Sequence, residues 1–259
     1  MSGFILCQVK RANQPFFLKN IQVNIFSIEE LCYFLYHNLS LADESVFNEE
    51  LCFWISNELG LVGLGQRLRI LLGRSASLED LVYPIFKEVG YLTYDELKSI
   101  RTRLNIMNRE SLLEREKHKG DAFVINGMYA KAIALYHQVL EDPALHAEPT
   151  LRADILHNLG CAYSYMFQME KAAQCFREAL DLTGSEEDTI TYLLACSSIM
   201  SAEEYDRHLL ELGVSLDVSF LAAQERRRVE SMPAPDAGSA DSDHMLAELM
   251  AQYHKCTAE

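Results

Sequence analysis

The spacing of apolar positions along this chain changes once, near residue 27. Upstream, Ile21, Val23 and Ile25 alternate with Gln22 and Asn24, the two-residue period of a half-buried strand. Phe4 to Val9 is a short apolar run, Arg11 to Gln14 is polar, and Pro15 interrupts. Residues 1–26 therefore read as one β-hairpin or extended cap. Downstream the period becomes helical. Ser27-Ile-Glu-Glu30 has the form of a capping box, opening a helix that carries Leu31, Phe34 and Leu35 and ends near Asn38. A helix around 48–59 puts Leu51, Trp54 and Ile55 on one stripe. Gly60, Gly63 and Gly65 read as a flexible turn before a helix over 66–72. A phosphate cradle is disfavoured there, since no strand precedes and no Gly-Lys-Ser/Thr follows. Ser77-Leu-Glu-Asp80 starts a helix to about Val89 despite Pro84, and Thr93 to Lys117 reads as one long charged helix.

Two later segments repeat each other. Gly120, Phe123, Gly127, Ala132, Tyr136 and Val139 have the same spacing as Gly160, Tyr163, Phe167, Ala172, Phe176 and Ala179, 40 residues on. The small residues let two helices approach, and the large ones fill the space between them. This pattern resembles the tetratricopeptide (TPR) repeat, a helical hairpin of similar length. It departs from the family at the position usually held by Trp, which is Glu116 in one copy and Leu156 in the other. The extra length is assigned to an extended loop over Asp142 to Pro149, which holds two prolines. Ile190–Met200 and Ala202–Leu212 suggest a third, degenerate unit or a capping hairpin, with Leu193, Leu194 and Tyr205 near the expected places. A last helix over 217–230 ends in the basic run Arg226-Arg227-Arg228.

The expected fold is thus all-α with a small β-hairpin. The cap (1–26) is followed by a helical N-terminal region (27–112), TPR-like hairpins (113–230), a flexible Pro/Ser/Gly/Asp linker (231–243) and a short amphipathic helical tail (244–259). Met245, Leu246, Leu249 and Met250 recur at helical spacing in that tail.

Composition narrows the functional classes. The chain has 23 basic and 38 acidic residues, a net charge of −15, which disfavours nucleic acid and anionic membranes as partners. Ser27 to Gly60 holds seven acids and no Lys or Arg, which reads as a solvated helical face. The seven cysteines are scattered without a Cys-x-x-Cys pair, so free thiols in a reducing cytoplasm are expected, with no zinc site. No apolar run is long enough to span a bilayer.

Candidate chemistry is sparse. His157 and Cys161 lie four apart with Asp154 a turn earlier, a spacing that suits a metal or a nucleophile–base pair. In a TPR first helix, however, those positions line the groove, where varied polar residues are ordinary. Asp241-Ser-Asp-His244 is weaker, in the expected linker. No nucleophile elbow, Walker loop, zincin motif or dinucleotide fingerprint occurs, so no catalytic residue, metal or cofactor is assigned.

What the TPR resemblance implies is a groove that holds a protein or peptide, lined by Lys117, Asp121, Val124, Asp154, His157, Asn158, Cys161 and Ser164. Lys117 and Asn158 match two positions of the TPR clamp for chaperone carboxylate tails. Asp121 replaces the Asn of that clamp, and 188–199 supplies no cation, so a different ligand is expected. The implied function is a non-enzymatic adaptor or scaffold. A rival is a peptide-sensing regulator similar to bacterial TPR proteins, and a more distant one is an enzyme with an unrecognised site.

Overall fold

A computed structural model describes residues 10–231 together with 247, 249–251, 254 and 255. Apart from one two-stranded sheet, the described chain is all-α, and it forms two compact units, Met1–Ala122 and Phe123–Glu259.

In the first unit, β1 (Phe16–Leu18) and β2 (Val23–Ile25) pair antiparallel, with Phe16 opposite Ile25 and Leu18 opposite Val23. Phe16, Leu18 and Ile25 turn inward, whereas Phe17 and Asn24 face water. The hairpin therefore lies after Pro15, and the apolar run Phe4 to Val9 falls outside the described residues. Helices α1 (Ile28–His37), α2 (Glu49–Asn57), α3 (Val62–Leu72), α4 (Leu78–Glu88) and α5 (Tyr94–Met107) follow. Ile28, Leu35, Leu51, Ile55, Leu68, Ile85 and Ile100 are fully buried among them. Each such side chain contributes roughly 1.5–3 kcal/mol by leaving water. The Trp54 indole N–H ties the sheet to α2 by donating to the Gln14 carbonyl at 2.8 Å, while its ring meets Phe16 at 5.8 Å.

Two expectations about this unit need correction. The glycine cluster is not all turn: α3 begins at Val62, so Gly63 and Gly65 are helical. A Cβ on Gly65 would stand 2.0 Å from Ser56 Oγ and 2.7 Å from the Cys52 carbonyl, so that glycine is needed where α3 crosses α2. The long helix over 93–117 is broken, because α5 ends at Met107 and α6 (Leu112–Ile125) starts after Ser111. The Ser111 hydroxyl accepts from the Glu114 amide, and the Glu114 carboxylate accepts from the Ser111 amide. That reciprocal cap competes with helix continuation. The acidic stretch is largely the solvated face expected, with Glu30, Glu44, Glu49 and Glu50 exposed. Glu29 is buried, and Glu49, Glu50 and Asp43 pair with Arg69, Lys19 and Lys119 at 2.7, 3.3 and 2.8 Å.

The second unit takes up the last turn of α6, then α7 (Tyr129–Leu140), α8 (Pro149–Tyr165), α9 (Met169–Thr183), α10 (Glu186–Ile199), α11 (Ala202–Leu212) and α12 (Leu216–Glu230). Gly127 and Phe167, equivalent in the repeat pattern, both adopt a left-handed backbone, with φ of 72° and 56°. One turn geometry thus ends α6 and α8 alike. Helix α8 packs along α9, and Gly160 marks their closest approach. A Cβ there would lie 2.6–2.9 Å from three atoms of the Phe176 ring.

Residues 142–149 do not form the extended loop expected of two prolines. Pro143–Ala147 is a 3-10 turn opened by the Asp142 carboxylate, which accepts from the Ala144 amide at 2.8 Å, and Pro149 is the first residue of α8. Both prolines sit at helix starts, where their missing N–H costs nothing. Leu145 anchors the turn in the core. Helix α11 buries none of its residues, whereas α12 packs on α10 through Ala222. The linker 232–243 lies outside the described residues. Of the tail, Ala247, Leu249 to Ala251, His254 and Lys255 are described and helical, with Leu249 and Met250 exposed.

Candidate functional site

Helix α8 carries Asp154, His157, Asn158, Cys161 and Ser164 at three- and four-residue steps, which places them on one stripe. Its opposite side, Ile155, Leu159 and Ala162, is buried. Along the stripe Asp154 is exposed, and the other four are partly exposed. The Ser164 hydroxyl donates to the Gly160 carbonyl at 2.9 Å. Val124, in the last turn of α6, is half-buried.

Lys117 and Asp121 lie on the part of α6 that belongs to the first unit. They pair with each other, Nζ to Oδ2 at 2.8 Å, with most of both side chains out of water. Lys117 thus already has a carboxylate partner four residues along its own helix.

His157 does not share its proton with Asp154, the carboxylate suggested by spacing. Its Nδ1 lies 3.1 Å from Asp188 Oδ1, in the first turn of α10. Two hydroxyls hold that carboxylate, with Thr183 and Ser185 each donating to Asp188 Oδ2 at 2.6 Å. Burial would raise the Asp188 pKa. The Ser185 and Thr183 hydrogen bonds and the His157 ring outweigh it, and keep the group below its ordinary value. For His157, the hydrogen bond to Cys161 is the largest influence and burial opposes it. Together with Asp188, the sulfur pushes the imidazole pKa up to about 9. The Phe176 ring stands against the imidazole, 5.4 Å between centroids at 60°. The result is an imidazole set between the Asp188 carboxylate and the Phe176 ring, with Asp188 fixed by two hydroxyls.

Further along, a cavity of about 420 Å³ opens between the ends of α8 and α9 and helices α10 and α12. Ser164, Met169 and Phe176 form one wall, Leu194, Ala195 and Ser198 another, and Arg226, Val229 and Glu230 the third. Arg226 Nε lies 2.9 Å from Glu230 Oε1 on the rim, so the cation is balanced locally. Of this group, only Ser164 was expected from the sequence as a groove residue. The basic run of the last helix was visible, but not that α12, as well as α11, packs on α10. Asp188 was missed because its pairing crosses 31 residues.

Among the described residues, no group of three or more His, Cys, Asp and Glu side chains is arranged to hold a metal ion, and no helix is long and apolar enough to cross a membrane. Residues 241–244, a weak sequence candidate, are outside that range.

In comparison with known proteins, residues 153–185 match the family model of the tetratricopeptide repeat. The match covers α8 from its second turn, all of α9 and the turn into α10. No curated protein and no solved structure matches the chain. Repeats of this family are protein–protein interaction modules, stacked so that successive hairpins form a continuous surface.

Proposed function

We propose that this chain, a tetratricopeptide repeat protein, is a non-enzymatic adaptor that holds a protein or peptide on the face formed by α8, α10 and α12. The observation that carries the reading is the largely apolar cavity beside the stripe of α8, within and next to the segment that matches the repeat family. A cavity of this size accepts one or two apolar side chains of a peptide, and the Ser164 and Ser198 hydroxyls stand at its wall. The groove residues proposed for contact are Val124, Asp154, His157, Asn158, Cys161 and Ser164, with Lys117 and Asp121 on α6.

The ligand is not a free carboxylate tail. Lys117 is neutralised by Asp121, and the Arg226 charge by Glu230. An apolar anchor with neutral or basic flanks fits better against a chain of net charge −15. In this reading the region 27–112 positions or regulates the repeat surface.

Ser198 is exposed at the cavity wall, so Ser198→Trp fills the cavity without disturbing the core. Affinity capture from the native host, read by quantitative mass spectrometry, should lose the specific prey of the wild-type chain by ten-fold or more, with helicity unchanged. Equal capture by both proteins would remove the cavity from the binding surface.

A further inference from the structure

We infer that the first unit binds an alkylguanidinium, either a free small molecule or the arginine side chain of a partner, in a cavity lined by Glu110. The cavity measures about 270 Å³ and lies between the 3-10 turn Leu39–Leu41, the start of α4, the end of α5 and the first half of α6. All of its lining residues belong to the first unit, and none is in the segment that matches the repeat family, so the inference is independent of the proposed function.

One atom indicates the ligand. Oε2 of Glu110 is buried and meets no hydrogen-bond donor among the described residues, and the whole side chain is only 13% exposed. Oε1 faces His118 Nε2 at 3.5 Å, longer than a good N–H···O bond. A carboxylate oxygen withdrawn from water without a donor is unfavourable, and folded proteins keep few of them. The backbone on both sides is pinned. The Arg109 amide donates to the Ile106 carbonyl at 2.9 Å, and Ser111 and Glu114 cap α6 directly after Glu110.

The lining sets the rest of the ligand. Lys119 is in the same wall but is bound to Asp43 at 2.8 Å, so those two charges cancel. Glu110 and Glu116 then stand against Arg115, which leaves an excess of negative charge while His118 is neutral. Among the described residues no set of three side chains is placed to hold a metal ion, so an organic cation is the fitting class. Leu39, Leu78, Leu104 and Met107 supply an apolar wall for its stem, and Ser40 and Asn108 supply further acceptors. A guanidinium suits this lining better than an ammonium. Its donors spread in a plane, so one can meet Glu110 Oε2 while others meet Ser40, Asn108 or Glu116, and it gives up water more readily. The volume is below the roughly 300–1,000 Å³ of sites for drug-sized ligands and suits one group the size of a side chain.

The full-length protein, carrying 13C-methyl methionine, is titrated with n-butylguanidinium while the Met107 methyl resonance, assigned through Met107→Leu, is followed by NMR. That resonance should move saturably. Binding of n-butylurea, which has the same shape without the charge, should be weaker by about ten-fold or more, as should binding of n-butylguanidinium to Glu110→Gln, because a hydrogen bond to a charged group is lost in each. A blocked peptide with one central arginine separates the two sources. Binding tighter than that of n-butylguanidinium assigns the cation to a protein partner, and weaker binding assigns it to a free small molecule. If circular dichroism shows that Glu110→Gln does not fold, the n-butylurea comparison on the wild type decides alone. An unmoved Met107 resonance, equal binding of n-butylurea, or undiminished binding by folded Glu110→Gln would overturn the proposal.

Discussion

Replacing Gly160 by Ala tests the packing on which the whole α8 stripe depends. In an exposed helix the change would stabilise, because Ala is favoured over Gly by about 1 kcal/mol. Here the new Cβ would lie 2.6, 2.8 and 2.9 Å from Phe176 Cε1, Cδ1 and Cζ, all inside van der Waals contact. Phe176 is 4% exposed and the His157 imidazole stands against its ring, so relief must come from a shift of the ring toward the cavity it lines. Overpacking of this kind costs about 1–3 kcal/mol. Subtracting the propensity gain leaves a net loss of about 1 kcal/mol, or roughly 3 °C in midpoint for a unit of this size. Urea unfolding followed by circular dichroism gives the sign. In a Phe176→Leu background the same substitution should become neutral or stabilising by about 1 kcal/mol, since the ring atoms are gone. A Gly160→Ala protein more stable than the wild type would refute the close approach of α8 and α9.

Two further outcomes follow from the same unit. Phe167 is 90% exposed yet left-handed, a conformation that costs an L-residue roughly 1–2 kcal/mol, so Phe167→Gly should stabilise by about 0.5–1 kcal/mol after the entropy of glycine is deducted. Thermal unfolding checks this, and destabilisation would mean that the Phe167 side chain makes contacts that outweigh its backbone strain. His157, whose pKa is raised by Cys161 first and by Asp188 after it, sets a pH dependence. Because the imidazole rises from 6.5 to about 9 on folding, its stabilising effect is complete below pH 6.5 and disappears as pH climbs through 9. The urea midpoint should therefore fall between pH 7 and pH 9.5 in the wild type, and that fall should be absent in His157→Gln. Asp188, depressed on folding, contributes above its ordinary value and loses its effect only in more acidic solution.

Much of the fold was readable because its signals are local. The capping boxes at Ser27 and Ser77, the alternation through Ile25 and the paired small and large residues of the repeat each depend on neighbours within a few positions. The equivalence of Gly127 and Phe167 was legible as spacing, although nothing about a phenylalanine announces a left-handed turn. The break before α6 was also local, since Ser111-Leu-Leu-Glu114 is a capping box, but strong helix formers on both sides hid it. Contacts that cross helices were not legible. Asp188 reaches His157 across a hairpin, and α12 returns to pack on α10 beyond the α11 that follows it in the chain. These are the contacts that build the cavity and the charged pair, so the candidate site was the least readable part of the chain.

The central claim is that a partner sits on the face made by α8, α10 and α12. Once capture with the wild-type chain has identified a prey, a photo-crosslinking residue at Ser198 can be compared with one at Leu210 on α11, which is 83% exposed and away from the cavity lining. The account predicts a covalent adduct with that prey from position 198 and none from 210. An adduct from 210 alone would contradict it.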